Sequence, residues 1–158
     1  MTPASRVRLP AALLLALCIA LPSYTCPGYV APDGTVVSSI PDAADSAAYQ
    51  STRIAHYPLE DRGPTDGWFW ITVAAFGWPL PILLLRRYRP RSAPARFLTA
   101  AEPVLALGSG YLIYAMASMG RPAFGTWLAL AANGAMLAVW LAERLRLRAR
   151  ERPREAMA

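Results

Sequence analysis

The chain has 158 residues, 55% of them hydrophobic and only 16% charged, with a net charge of +6. Soluble domains usually carry about a quarter charged residues, so the shortfall points to long stretches that never meet water. The Arg residues sit at the ends of apolar runs, where membrane topology accounts for them, and nucleic acid is not expected as a partner. All 16 basic residues are Arg. With abundant Ala and Pro and scarce Lys and Asn, this matches the coding bias of a GC-rich bacterial genome, so no functional weight falls on Arg over Lys. Cys18 and Cys26 form no Cys-x-x-Cys motif. One reads as a soft apolar residue, the other as a free or partner-linked thiol.

A helix needs about 20 apolar residues to cross a bilayer. The first candidate runs from Val7 to Tyr24, with Arg6 and Arg8 before it and Pro22 at its far end. That design also fits a secretory signal peptide, but no Ala-x-Ala follows and neither Cys lies in a lipobox. An uncleaved anchor is the expectation, with three spans remaining if the segment is removed. The second run is Gly67 to Leu85, with Trp68 and Trp70 at its outer end and Arg86, Arg87 and Arg89 at its inner end. Pro79 and Pro81 predict a kink near Gly77 to Pro81. The third run is Phe97 to Met119 and the fourth Phe124 to Ala142. The short link Gly120 to Ala123 forces an antiparallel helical hairpin. Small residues at four-residue spacing, such as Ala106 and Gly110, make the third and fourth runs the expected tightest pair.

The expected fold is therefore an all-α integral membrane protein with four transmembrane helices and a small outer segment. Its divisions are 1–6 inside, 7–24 span, 25–66 outside, 67–85 span, 86–96 inside, 97–119 span, 120–123 outside, 124–142 span and 143–158 inside. With the N-terminus inside, 13 of the 16 Arg residues fall on the inner face, leaving Arg53, Arg62 and Arg121 outside. Every alternation then obeys the positive-inside rule, which places the chain in a bacterial cytoplasmic membrane with both termini in the cytoplasm. The partners this implies are the lipid bilayer and, at the Arg-rich inner face, anionic lipid head groups. The basic tail from Glu143 reads as a helical extension of the fourth span.

Within the outer segment, Pro32-Asp33-Gly34 between Tyr29–Ala31 and Thr35–Val37 reads as a β-hairpin. Pro41-Asp42 followed by Ala43 to Ile54 reads as a short helix. Such a segment cannot bury a core alone and should pack on the helix ends or on a partner. Its candidate polar residues are His56, Glu60 and Asp61, a set short of the ligands a zinc site needs.

Two polar residues lie within spans. Ionisable groups there are costly, which gives Glu102 a functional reading as a proton- or cation-coupled site. Its shallow position favours a carboxylate paired with Arg96 or Arg91, or one beside a helix start at Pro103. Asn133 needs an interhelical partner, with Ser109, Tyr111 or Tyr114 within reach. No catalytic, cofactor or metal constellation emerges. The leading expectation is a non-enzymatic accessory or interaction protein of the inner membrane, bound to a membrane-protein partner or to copies of itself. The alternative is a small transporter or channel subunit using Glu102 and Asn133 in an oligomeric bundle.

Overall fold

The structure, a computed structural model, describes residues 3–40, 46–60 and 63–155. The chain opens with helix α1 (Pro3–Leu17), closed by a 3-10 turn at Cys18–Ala20. Strands β1 (Tyr24–Val30), β2 (Val36–Val37) and β3 (Gln50–His56) follow. Then come α2 (Gly67–Gly77), α3 (Pro79–Tyr88), α4 (Ala93–Ala117), the two-residue strand β4 (Arg121–Pro122) and α5 (Phe124–Glu155).

This overturns the expectation of an all-α protein with four spans. The described residues form a mixed α/β protein with five helices and a four-stranded antiparallel sheet. Two helices are long and apolar enough to cross a membrane, α4 and the part of α5 from Phe124 to Arg146. The second apolar run is broken: α2 and α3 meet at a 55° bend and reach the required length only when taken together. The first run falls short for a different reason. Its helix has 15 residues, about 22 Å at 1.5 Å per residue, against a hydrocarbon core of about 30 Å. The rest of that run is the 3-10 turn and a short extended link, and its last residue, Tyr24, opens strand β1.

The break between α2 and α3 follows from proline chemistry. Pro79 has no N–H to return to the carbonyl of Ala75, and its ring crowds the preceding turn. The Ser109 hydroxyl of α4 takes over, donating to Ala75 O at 2.5 Å. The same device recurs inside α4, where Pro103 frees the carbonyl of Thr99 and the Trp140 indole N–H of α5 donates to it at 3.3 Å. Each freed carbonyl thus acquires a donor from a neighbouring helix, as a buried backbone acceptor requires.

The sheet is built around β1. Tyr24 to Val30 pair with His56 to Gln50 of β3 along their whole length. On its other side, β1 meets β2 at Tyr29↔Val37 and Val30↔Val36, and β4 at Tyr24↔Pro122 and Thr25↔Arg121. The β1–β2 turn is carried by Gly34 at φ 84°, a left-handed conformation cheap only for glycine. The Asp33 carboxylate accepts from Thr35 N at 3.0 Å and Thr35 Oγ1 at 2.7 Å. These bonds hold its pKa below the ordinary aspartate value. β3 occupies part of the stretch read as a short helix. The start of that reading, residues 41–45, lies outside the described residues.

Because β4 is the turn between α4 and α5, the sheet is fused to one end of the helices. Ser23 O accepts from Ala123 N at 2.9 Å and from the Thr126 hydroxyl, while Ser23 N donates to His56 O at 2.8 Å. In the core, Ala11, Ala12 and Leu15 of α1 join Phe76, Ala106, Ile113, Ala129, Ala132 and Met136. α5 lies along both α1 and α4, and its contact with α1 is the more extensive. The α4–α5 contact, which joins the third and fourth runs, is the second most extensive between helices. Small residues still set the α4–α5 spacing: a Cβ on Gly110 would meet Asn133 Nδ2 at 3.0 Å.

Candidate functional site

Two polar constellations stand out, one at each end of the helices. The first is assembled by helical periodicity. Arg8, Ala11, Ala12, Leu15 and Cys18 are buried along α1 and the turn after it, the three- and four-residue spacing of one helix face. On α4 the buried stripe runs through Ala95, Glu102, Ala106, Ser109, Ile113 and Ala117. Arg8 and Glu102 thus occupy the charged end of otherwise small or apolar stripes, and packing α1 and α4 into one bundle turns them inward.

Glu102 is 1% exposed. Its Oε1 lies 3.3 Å from Arg8 Nη2 and its Oε2 3.1 Å from Arg86 Nη2 of α3. Arg8 Nη2 also lies 2.9 Å from Glu143 Oε2 of α5, and Arg86 Nε donates to Thr99 Oγ1 at 2.9 Å. Two cations and two anions from four helices balance. The compensation is chiefly by proximity: Arg8 Nε and both Glu102 oxygens are buried without an aligned hydrogen bond. The partners differ from the Arg96 or Arg91 expected, and Glu102 sits well inside α4 rather than beside its start.

Asn133 is engaged separately. Its Nδ2 donates to Ala106 O at 2.6 Å, and its Oδ1 has no partner. The acceptor is a backbone carbonyl rather than Ser109, Tyr111 or Tyr114. Ser109 is committed to Ala75, while Tyr111 and Tyr114 are exposed.

The second constellation lies where the sheet meets the helices. A cavity of about 440 Å³ is floored by Ile71, Thr72 and Ala75 of α2 and Leu112, Met116 and Met119 beside them. Its polar wall holds Tyr24, His56, Tyr57 and Glu60, with Ser23, Pro58 and Trp68 completing the lining. His56 Nδ1 lies 3.0 Å from Glu60 Oε2, which also accepts from Tyr57 N at 3.1 Å. The Tyr24 ring stacks on His56 with centroids 4.8 Å apart. Of the three outer-segment candidates, His56 and Glu60 are brought together, and Asp61 lies outside the described residues. The spacing of His56 and Glu60 is visible in the sequence. The apolar floor is not, because it comes from helices distant in the chain.

A small α/β protein, with two helices long and apolar enough to cross a membrane and an antiparallel sheet fixed to their ends, is the class that the fold and these sites define. Comparison with known proteins narrows it no further: no family model, no curated protein and no solved structure matches the chain. Among the described residues, no group of three or more His, Cys, Asp or Glu is placed to hold a metal ion.

Proposed function

We propose that the chain is a non-enzymatic accessory protein of a bacterial inner membrane, presenting its sheet outside the cell membrane to a protein partner. The observation that carries this reading is the sheet edge. In the order β2-β1-β3, the seven residues of β3 pair with β1 on one side, and among the described residues no strand pairs with the other. An open strand edge is a template for an added strand from another chain. Here it is held at a fixed height by β4 and the Ser23 bonds.

The membrane part of the reading draws support from the outward-facing residues. Phe97, Val104, Leu107, Tyr111 and Tyr114 of α4 are all at least 64% exposed, an apolar face suited to lipid. The Arg distribution sets both termini on the cytoplasmic side, which puts the Arg8–Glu102 cluster at the inner end and the sheet at the outer end.

The test is purification from its own membrane in mild detergent, with a photo-crosslinking residue at the exposed Ser51 of β3. Recovery of one reproducible protein adduct is the expected result. A chain that is always alone and monomeric, with no adduct at Ser51, overturns the reading.

A further inference from the structure

We infer that the cavity between α2, α4 and the sheet is a binding site for an ammonium-bearing amphiphile, a positively charged amine on an apolar body. This goes beyond the partner reading and concerns a cavity rather than the open edge of β3.

The lining grades from apolar to polar. Ile71, Leu112 and Met116 offer a surface suited to a hydrocarbon body, at the end of helices whose outer faces are themselves apolar. The opposite wall is of a different kind. Among the described residues its one carboxylate is Glu60, and no arginine lines the cavity. His56 Nδ1 sits 3.0 Å from Glu60 Oε2, which anchors the carboxylate in this wall. Tyr24, Tyr57 and Trp68 line the same space. A carboxylate with several aromatic rings is the chemistry that recognises an ammonium group, through charge and through the negative faces of the rings. The volume, about 440 Å³, falls within the range of small-molecule sites.

Among the described residues, an anionic head group meets no arginine in the lining. Two sources share the ammonium chemistry: a free amphiphilic amine, and the choline or ethanolamine end of a phospholipid. The phospholipid brings a phosphate for which the described lining holds no arginine, so the free amine is the expected ligand.

The experiment uses the full chain in dodecyl maltoside micelles and equilibrium binding of radiolabelled dodecyltrimethylammonium. Dodecylphosphocholine, dodecanol and dodecyl sulfate serve as competitors of equal chain length. The expected result is saturable binding of one molecule per chain, weakened about tenfold by Glu60→Gln, roughly the 1.4 kcal/mol that a tenfold change represents, and lost in Met116→Trp, which fills the floor. Dodecanol and dodecyl sulfate should compete at least tenfold more weakly than the unlabelled amine. Thermal unfolding of both variants establishes that they are folded. Equal competition by dodecylphosphocholine upholds the ammonium site and moves its source to a lipid head group. Equal competition by the sulfate, or unchanged binding in both folded variants, overturns the inference. Because no protein partner enters this assay, its outcome is separate from that of the crosslinking at Ser51.

Discussion

Glu102 shows how a residue that looks functional from its position is absorbed by its neighbours. A carboxylate among apolar helices invites a transport role, yet its oxygens lie within 3.3 Å of Arg8 and Arg86. Removing one member of a buried ion pair leaves the others uncompensated and costs about 3–5 kcal/mol. Glu102→Gln should therefore unfold at a markedly lower temperature in detergent, with a loss near that size. The double change Arg8→Met with Glu102→Leu should lose less than the two single changes combined. Additive losses in that cycle would show that the pair is not coupled. At the exposed end, the carboxyl of Asp33 offers a simpler check. Its pKa is depressed by the bonds from Thr35, so it stabilises the turn above the ordinary aspartate pKa. That contribution is lost as pH falls through the depressed folded value. An NMR titration should place the Asp33 midpoint below that of an unstructured aspartate, and Thr35→Val, which removes the hydroxyl but keeps the backbone N–H, should raise it part of the way. An unchanged midpoint in Thr35→Val would mean that the hydroxyl bond does not contribute.

At the scale of elements, prolines decide more than their number suggests. Pro79 splits one apolar run into α2 and α3, and Ser109 then holds the freed Ala75 carbonyl. Ser109→Ala should leave that carbonyl unpaired and lower stability by about 1–3 kcal/mol. In a Pro79→Ala background the returning N–H can satisfy Ala75, so the same serine change should cost clearly less. Thermal melts of the four variants measure this coupling, and an equal cost in both backgrounds would rule the explanation out. The sequence locates the bend, since Pro79 and Pro81 are there to be read, but not the serine that makes the bend tolerable. The hairpin at Asp33-Gly34 is likewise legible, because a turn with a fixed φ at Pro32 and a positive φ at Gly34 is a local affair. Strand β3 is not. Gln50-Ser51-Thr52-Arg53-Ile54-Ala55-His56 lacks a clear alternation, and it becomes a strand because β1 pairs along all of it. Such non-local pairing carries little local signal.

At the scale of the whole molecule, the charges and the apolar surface are arranged inside out. Arg8 and Glu102 are buried, whereas Leu13, Leu17, Val104, Leu107 and Trp127 face outward. α1 is integral to this arrangement: it supplies Arg8 to the cluster and Ala12 and Leu15, each 0% exposed, to the core. Cleavage at the end of the first apolar run would bare that core and leave Glu102 with Arg86 alone. The purified protein should accordingly retain α1, which intact-mass measurement reads directly. A mass lacking the first two dozen or so residues would contradict it.

By itself the sequence determined where the apolar helices α4 and α5 lie, where the second run bends, and which end of each helix carries arginine. Those features depend on the content and spacing of neighbouring residues. Only the tertiary structure decided that the first apolar run stops short and turns into a strand, that Arg8 and Arg86 enclose Glu102, and that His56 and Glu60 stand over an apolar floor. Each of these depends on residues far apart in the chain, whose meeting is set by how the helices and the sheet bury one another.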